Sequence, residues 1–139
     1  MRATNFAWTA LRLVTGLYFL ATGLLITTSL VFHVGRPPAQ PTLRATVFDN
    51  ALHASGFMDP LLALNFIVGG GALLLARTAP FGLVMLAPTV TVIVAFNMVL
   101  AGLVPWALFV AAVWLALAWR YRSGFASLFN WTPRPAPAG

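Results

Sequence analysis

Cysteine is absent from this 139-residue chain, and so are lysine and glutamate. Without a thiol there is no disulfide, no thiolate nucleophile and no sulfur ligand for a metal or cluster. Charge is scarce: 7% of residues, the eight basic ones all arginine and the two acidic ones Asp49 and Asp59. A soluble domain carries about 25% charged residues. With 60% hydrophobic residues and a mean hydropathy of +0.91, this chain cannot cover a water-facing surface, which excludes a soluble enzyme. The formal charge of +6 and a pI near 11.8 would ordinarily suggest nucleic acid. Here the arginines stand at the ends of apolar segments and form no patch. The charge therefore reads as membrane topology, with no nucleic-acid partner expected.

What the chain has instead is apolar length. A hydrocarbon core of about 30 Å takes about 20 apolar residues per helix. The pattern predicts an all-α fold: a polytopic membrane protein, a four-transmembrane-helix bundle with a short amphipathic helix in the first outer loop. The spans are expected over about 8–34, 60–76, 81–101 and 104–119. The first is too long for a signal-peptide core and no small-residue cleavage pattern follows Phe32, so it reads as a retained helix. Gly35, Pro37, Pro38 and Pro41 break the pattern. Apolar residues at helical spacing over 42–57 predict an interfacial helix ended by Gly56. Asp59-Pro60 reads as an N-cap with proline at the first helical position. A second interfacial segment is expected over 123–131, with Phe125, Leu128, Phe129 and Trp131 facing lipid. One membrane domain over 1–132 is followed by a disordered Pro-rich tail, 133–139.

Six arginines (Arg2, Arg12, Arg77, Arg120, Arg122, Arg134) fall on the side of the N-terminus in this arrangement, and Arg36 and Arg44 on the other. The positive-inside rule then puts both termini in the cytoplasm. Arginine-only, alanine-rich usage hints at a GC-rich bacterial genome, and the expected localisation is a bacterial inner membrane. Trp8, Trp119 and Tyr121 mark the inner interface and Trp106 the outer one.

No strong catalytic motif is present, and no acid or base falls deep inside an expected span, where ion and proton pathways place them. The run Gly69-Gly70-Gly71 lacks the context of a phosphate loop and reads, with Gly16 and Gly23, as close helix packing. Pro88 is expected to kink the third span. Asn65 and Asn97 are intramembrane amides that need partners. They either bond between helices or line a cavity for a polar-headed ligand such as a quinone. Thr22, Thr27, Thr28, Thr89 and Thr91 are expected to bond their own helix backbone. His33, Asp49, His53 and Asp59 gather on the outer side, Asp49 and His53 at i, i+4. They are metal candidates by chemistry, set against the plain need of polar residues to sit in loops, with Arg36 and Arg44 at hand to neutralise the acids.

Several of these segments, in their order, resemble the DoxX and DoxX-like membrane proteins. Arg12, Gly16 and Gly23 are similar to the opening of that family. Gly56-Phe57-Met58-Asp59-Pro60-Leu61-Leu62, then Gly69-Gly70 running to Arg77 and Pro80, are similar to its second helix and turn. Leu86-Ala87-Pro88 with Phe96-Asn97 resembles its third helix, and Trp119-Arg120-Tyr121-Arg122 with Phe125 its close. The resemblance implies a four-helix bundle with cytoplasmic termini, associated with thiosulfate:quinone oxidoreduction or with complexes handling oxidative stress. The family often carries a glutamate before the paired glycines and a histidine in the third helix. Here those places hold Asn65 or Phe66, and Asn97. The expectation is a non-catalytic accessory or assembly subunit, in an oligomer or hetero-complex within the lipid bilayer and with no intrinsic cofactor. The alternatives are a quinone-interacting oxidoreductase subunit and a metal- or solute-handling protein of the outer face.

Overall fold

A computed structural model describes residues 2–33 and 39–129. The described residues form helices joined by short turns, with no strand among them. The elements are α1 (Arg2–Phe32), α2 (Leu43–Ala54), α3 (Met58–Leu74), α4 (Ala79–Ala95), α5 (Val104–Arg120) and α6 (Arg122–Phe129). A π-turn, Phe96–Leu100, extends α4. Arg36, Trp131 and the tail 133–139 lie outside the described residues.

Two helical stretches are long and apolar enough to cross a bilayer, Asn5–Phe32 and Ala79–Leu100. A third candidate arises if α2 and α3, bent 92° apart, count as one broken span, while α5 is apolar but shorter. The chain is a helical membrane protein on these grounds.

The helix boundaries have local causes. Thr42 has extended dihedrals and its hydroxyl oxygen accepts from the Ala45 N–H, which starts α2. Gly56, with φ of +74°, turns the chain into α3, a left-handed conformation that favours glycine. Asp59 does not cap α3 as expected. The helix begins one residue earlier, at Met58, with Phe57 before it and no side-chain cap, so Asp59 sits in the first turn. Gly102, φ +71°, closes the turn into α5.

Packing runs in series: α1 along α3, α3 against α4, α4 against α5. On α1 the buried stripe is Arg12, Gly16, Phe19 and Gly23, at helical spacing. It meets Ala63, Phe66, Gly70 and Leu73 of α3, with the Phe19 and Phe66 rings stacked 5.5 Å apart. Leu83, Leu86 and Val90 of α4 and Leu117 of α5 complete the core. The glycines set the spacing. A Cβ on Gly70 would lie 2.6 Å from the Leu20 backbone nitrogen and 2.9 Å from the Gly16 carbonyl oxygen. One on Gly82 would lie 2.7 Å from the Gly69 carbonyl oxygen, so Gly82 belongs with the packing glycines although its sequence context did not mark it. One expected packing glycine does otherwise: Gly71 faces open space, and Pro88, inside α4, is exposed.

The paired glycines supply the test. Gly70→Val should force α1 off α3 and lower stability by about 1–3 kcal/mol or more. Gly71→Ala, one residue away, should be neutral or stabilising. Thermal unfolding in detergent, followed by circular dichroism, reads the difference; equal midpoints for the two variants would contradict this packing.

Candidate functional site

Polar side chains converge where α2 lies across the junction of α3, α4 and the π-turn. The Thr42 hydroxyl donates to the Leu100 carbonyl, tying the start of α2 to the end of the π-turn. The Phe48 and Phe96 rings meet at 5.8 Å. In the π-turn the Ala101 N–H donates to Phe96 and the Leu103 N–H to Asn97, which departs from the i→i−4 pattern. Single π-turns of this kind recur at functional sites. Between these elements opens a cleft of about 140 Å³, whose walls include Asp49, Leu62, Phe66, Thr89, Phe96 and Asn97.

The two amides part company here. Asn65 Nδ2 donates to the Met85 carbonyl at 2.9 Å, and its Oδ1 accepts from the Thr89 hydroxyl at 2.8 Å. It is a joint between α3 and α4 and does not line the cleft. Asn97, 9% exposed, does line it. Its Nδ2 donates to the Ile93 carbonyl at 2.7 Å, and its Oδ1 has no hydrogen-bond partner among the described residues. Thr22, Thr27, Thr28 and Thr91 bond their own helix backbone as expected. Thr89 departs from the expectation, because Asn65 offers it an acceptor across the helix interface.

At the rim of the cleft, the α2–α3 corner holds both acids. His53 Nδ1 donates to Asp59 Oδ2 at 2.6 Å, and His53 Nε2 lies 3.7 Å from Asp49 Oδ2. Gln40 Nε2 also donates to Asp49 Oδ2, at 3.2 Å. The acids are therefore met by His53 and Gln40, and Arg44 is exposed. His33 follows α1 with φ of +50° and joins no hydrogen bond or ion pair among the described residues. Among those residues no group of three or more His, Cys, Asp or Glu side chains could hold a metal ion. The imidazole of His53 stands between two carboxylates, and its Nδ1 is already committed.

One buried charge was not foreseen. Arg12, expected at the membrane surface, is only 6% exposed and packs on the last turn of α3. Its Nη1 donates to the Leu73 carbonyl at 2.6 Å, and its Nε is buried with no partner. The guanidinium thus caps a helix C-terminus, where the macrodipole favours a cation. Its spacing of four from Gly16 was the available signal. Compared with protein-family models, with curated proteins and with solved structures, the chain matches none.

The His53 pKa is raised above its ordinary 6.5, first by the hydrogen bond to Asp59, with the charges of Asp59 and Asp49 adding and partial burial opposing. A group whose pKa is raised on folding stabilises the fold fully below its unfolded value, and that contribution fades as pH climbs through the folded value. The corner should therefore loosen as pH rises above about 6.5. Asp59→Asn should bring the His53 pKa down and flatten this dependence. NMR titration of the imidazole measures it; an unchanged midpoint in Asp59→Asn would contradict the pairing.

Proposed function

We propose that this chain is a non-catalytic accessory or assembly subunit of a larger membrane complex. It crosses a bacterial inner membrane four times, through α1, α3, α4 and α5, and keeps both termini in the cytoplasm. The resemblance to DoxX-like proteins makes that complex redox-related. The crossings of α3 and α5 are the short ones: each has 17 residues, about 26 Å of helix. That is somewhat under the hydrocarbon thickness, a mismatch that local thinning and interfacial side chains accommodate.

The observation that carries the reading is where the interior polar groups go. Asn65, Thr89 and Arg12 are used to join helices to one another. Such bonds build a scaffold. In addition, α1 is packed along one stripe only, and Leu17, Leu24, Leu25 and Val31 point outward, offering a long apolar face within the bilayer. Extraction in mild detergent followed by native mass spectrometry is the test. The expected result is a species heavier than the 14.9 kDa chain that contains a second membrane protein. A lone chain, whatever membrane protein is co-expressed with it, would contradict the proposal.

A second reading has one specific observation behind it, the unpaired Asn97 Oδ1 on the cleft wall. A reduced quinone could place its hydroxyl on that oxygen, making the chain a quinone-interacting oxidoreductase subunit. Asn97→Leu should then weaken quinone binding about tenfold, the worth of one hydrogen bond to a buried group. Equal affinity for wild type and variant, with the helical content kept, would remove this reading.

A further inference from the structure

Every arginine of the described residues except Arg44, which starts α2, belongs to one end of this molecule. Both carboxylates belong to the α2–α3 corner. Arg12 beside Leu73, Arg77 in the turn after α3, Arg120 at the end of α5 and Arg122 at the start of α6 belong to the opposite end. Contact between α6 and α4, with Gly124 against Pro80, keeps this end together. No acidic side chain remains in the sequence to neutralise it.

Arg12 makes the imbalance acute. A guanidinium stays charged at any biological pH. Burying it with a single carbonyl partner and an unpaired Nε leaves a charge with no counter-ion among the described residues, an arrangement that is costly away from water.

An apolar cleft of about 270 Å³ opens between α1 and α5, two helices that meet at most marginally; Arg12 does not line it but turns to the end of α3. Leu11, Val14 and Tyr18 line it on α1, and Phe109, Val110 and Val113 on α5. The cleft begins at the residue next to Arg12. Arg120 lies two helical turns beyond Val113 on the same face of α5. An apolar slot with cations at one end matches an amphiphile with an anionic head. A second copy of this chain would bring the same arginines and repel.

We propose that this cleft binds one anionic phospholipid, an acyl chain between α1 and α5 and the phosphate at the arginine end beside Arg12 and Arg120. The site goes beyond the accessory role and does not depend on it.

Quenching of tryptophan fluorescence by lipids with brominated chains tests the site in the full chain, reconstituted in phosphatidylcholine vesicles. Brominated phosphatidylglycerol should quench at several-fold lower mole fraction than brominated phosphatidylcholine. Arg120→Gln should lower that preference about fivefold, the worth of one arginine near an anionic lipid. Val110→Trp, which fills the cleft and leaves the arginines in place, should abolish the preference while circular dichroism stays helical. Inorganic phosphate should not compete. Equal quenching by both lipids in the wild type would overturn the proposal. So would a preference that survives both variants, displacement of the lipid by phosphate, or cross-linking of two copies through the cleft.

Discussion

Inside a bilayer, lipid tails are as apolar as leucine, so helices gain little from burying hydrophobic surface against each other. They associate through close contact and interhelical polar bonds. In this protein the contact is set at Gly16, Gly70 and Gly82, where carbonyls and amides of neighbouring helices approach to distances that a methyl group would forbid. The other joints depend on that approach. Arg12 reaches Leu73 only because α1 lies tight on α3. Asn65 reaches both Met85 and Thr89 only because α3 lies tight on α4.

The series of contacts also has a consequence at its ends. Glycines tighten α1–α3 and α3–α4, whereas α5 presents Trp106, Phe109, Val110, Val113 and Trp114 toward α1. Large side chains on that wall hold the outer two helices apart, and an open slot remains where a closed four-helix ring would have its fourth seam. Polarity along the long axis adds a direction to the slot. One end of the bundle carries Arg12, Arg77, Arg120 and Arg122 with no acidic side chain, the other Arg44 and a histidine between two aspartates.

Much of this was legible in the sequence because apolar length and helix-breaking residues are local signals. The stop at Gly56 and the short helix α2 follow from them. Gly16, Gly23, Gly69 and Gly70 were legible as packing residues because small residues at helical spacing have few other uses in a membrane helix. What failed was anything that depends on which face a helix turns inward. Arg12 was assigned to the surface by its charge, yet it shares the stripe of Gly16, Phe19 and Gly23 and is carried inside with them. Gly71 sits one residue, hence about 100° of rotation, off that contact. Asn65 and Asn97 look alike in sequence. Only the fold separates a joint between α3 and α4 from a residue on the cleft wall, and the π-turn that turns Asn97 there leaves no local signature. Asp59 was a fair N-cap by sequence, but α3 starts one residue earlier, at Met58, and the Asp59 carboxylate meets His53 instead.

The account depends most on the arginine end and the aspartate end lying on opposite faces of a membrane. The cysteine-free chain permits a direct measurement: single cysteines at Thr78 and Ser123, and at Asn50 and Ser55, probed with an impermeant maleimide on sealed vesicles of known orientation. Thr78→Cys and Ser123→Cys should label from the cytoplasmic side alone, and Asn50→Cys and Ser55→Cys from the other side alone. Labelling of all four from one side would contradict the account.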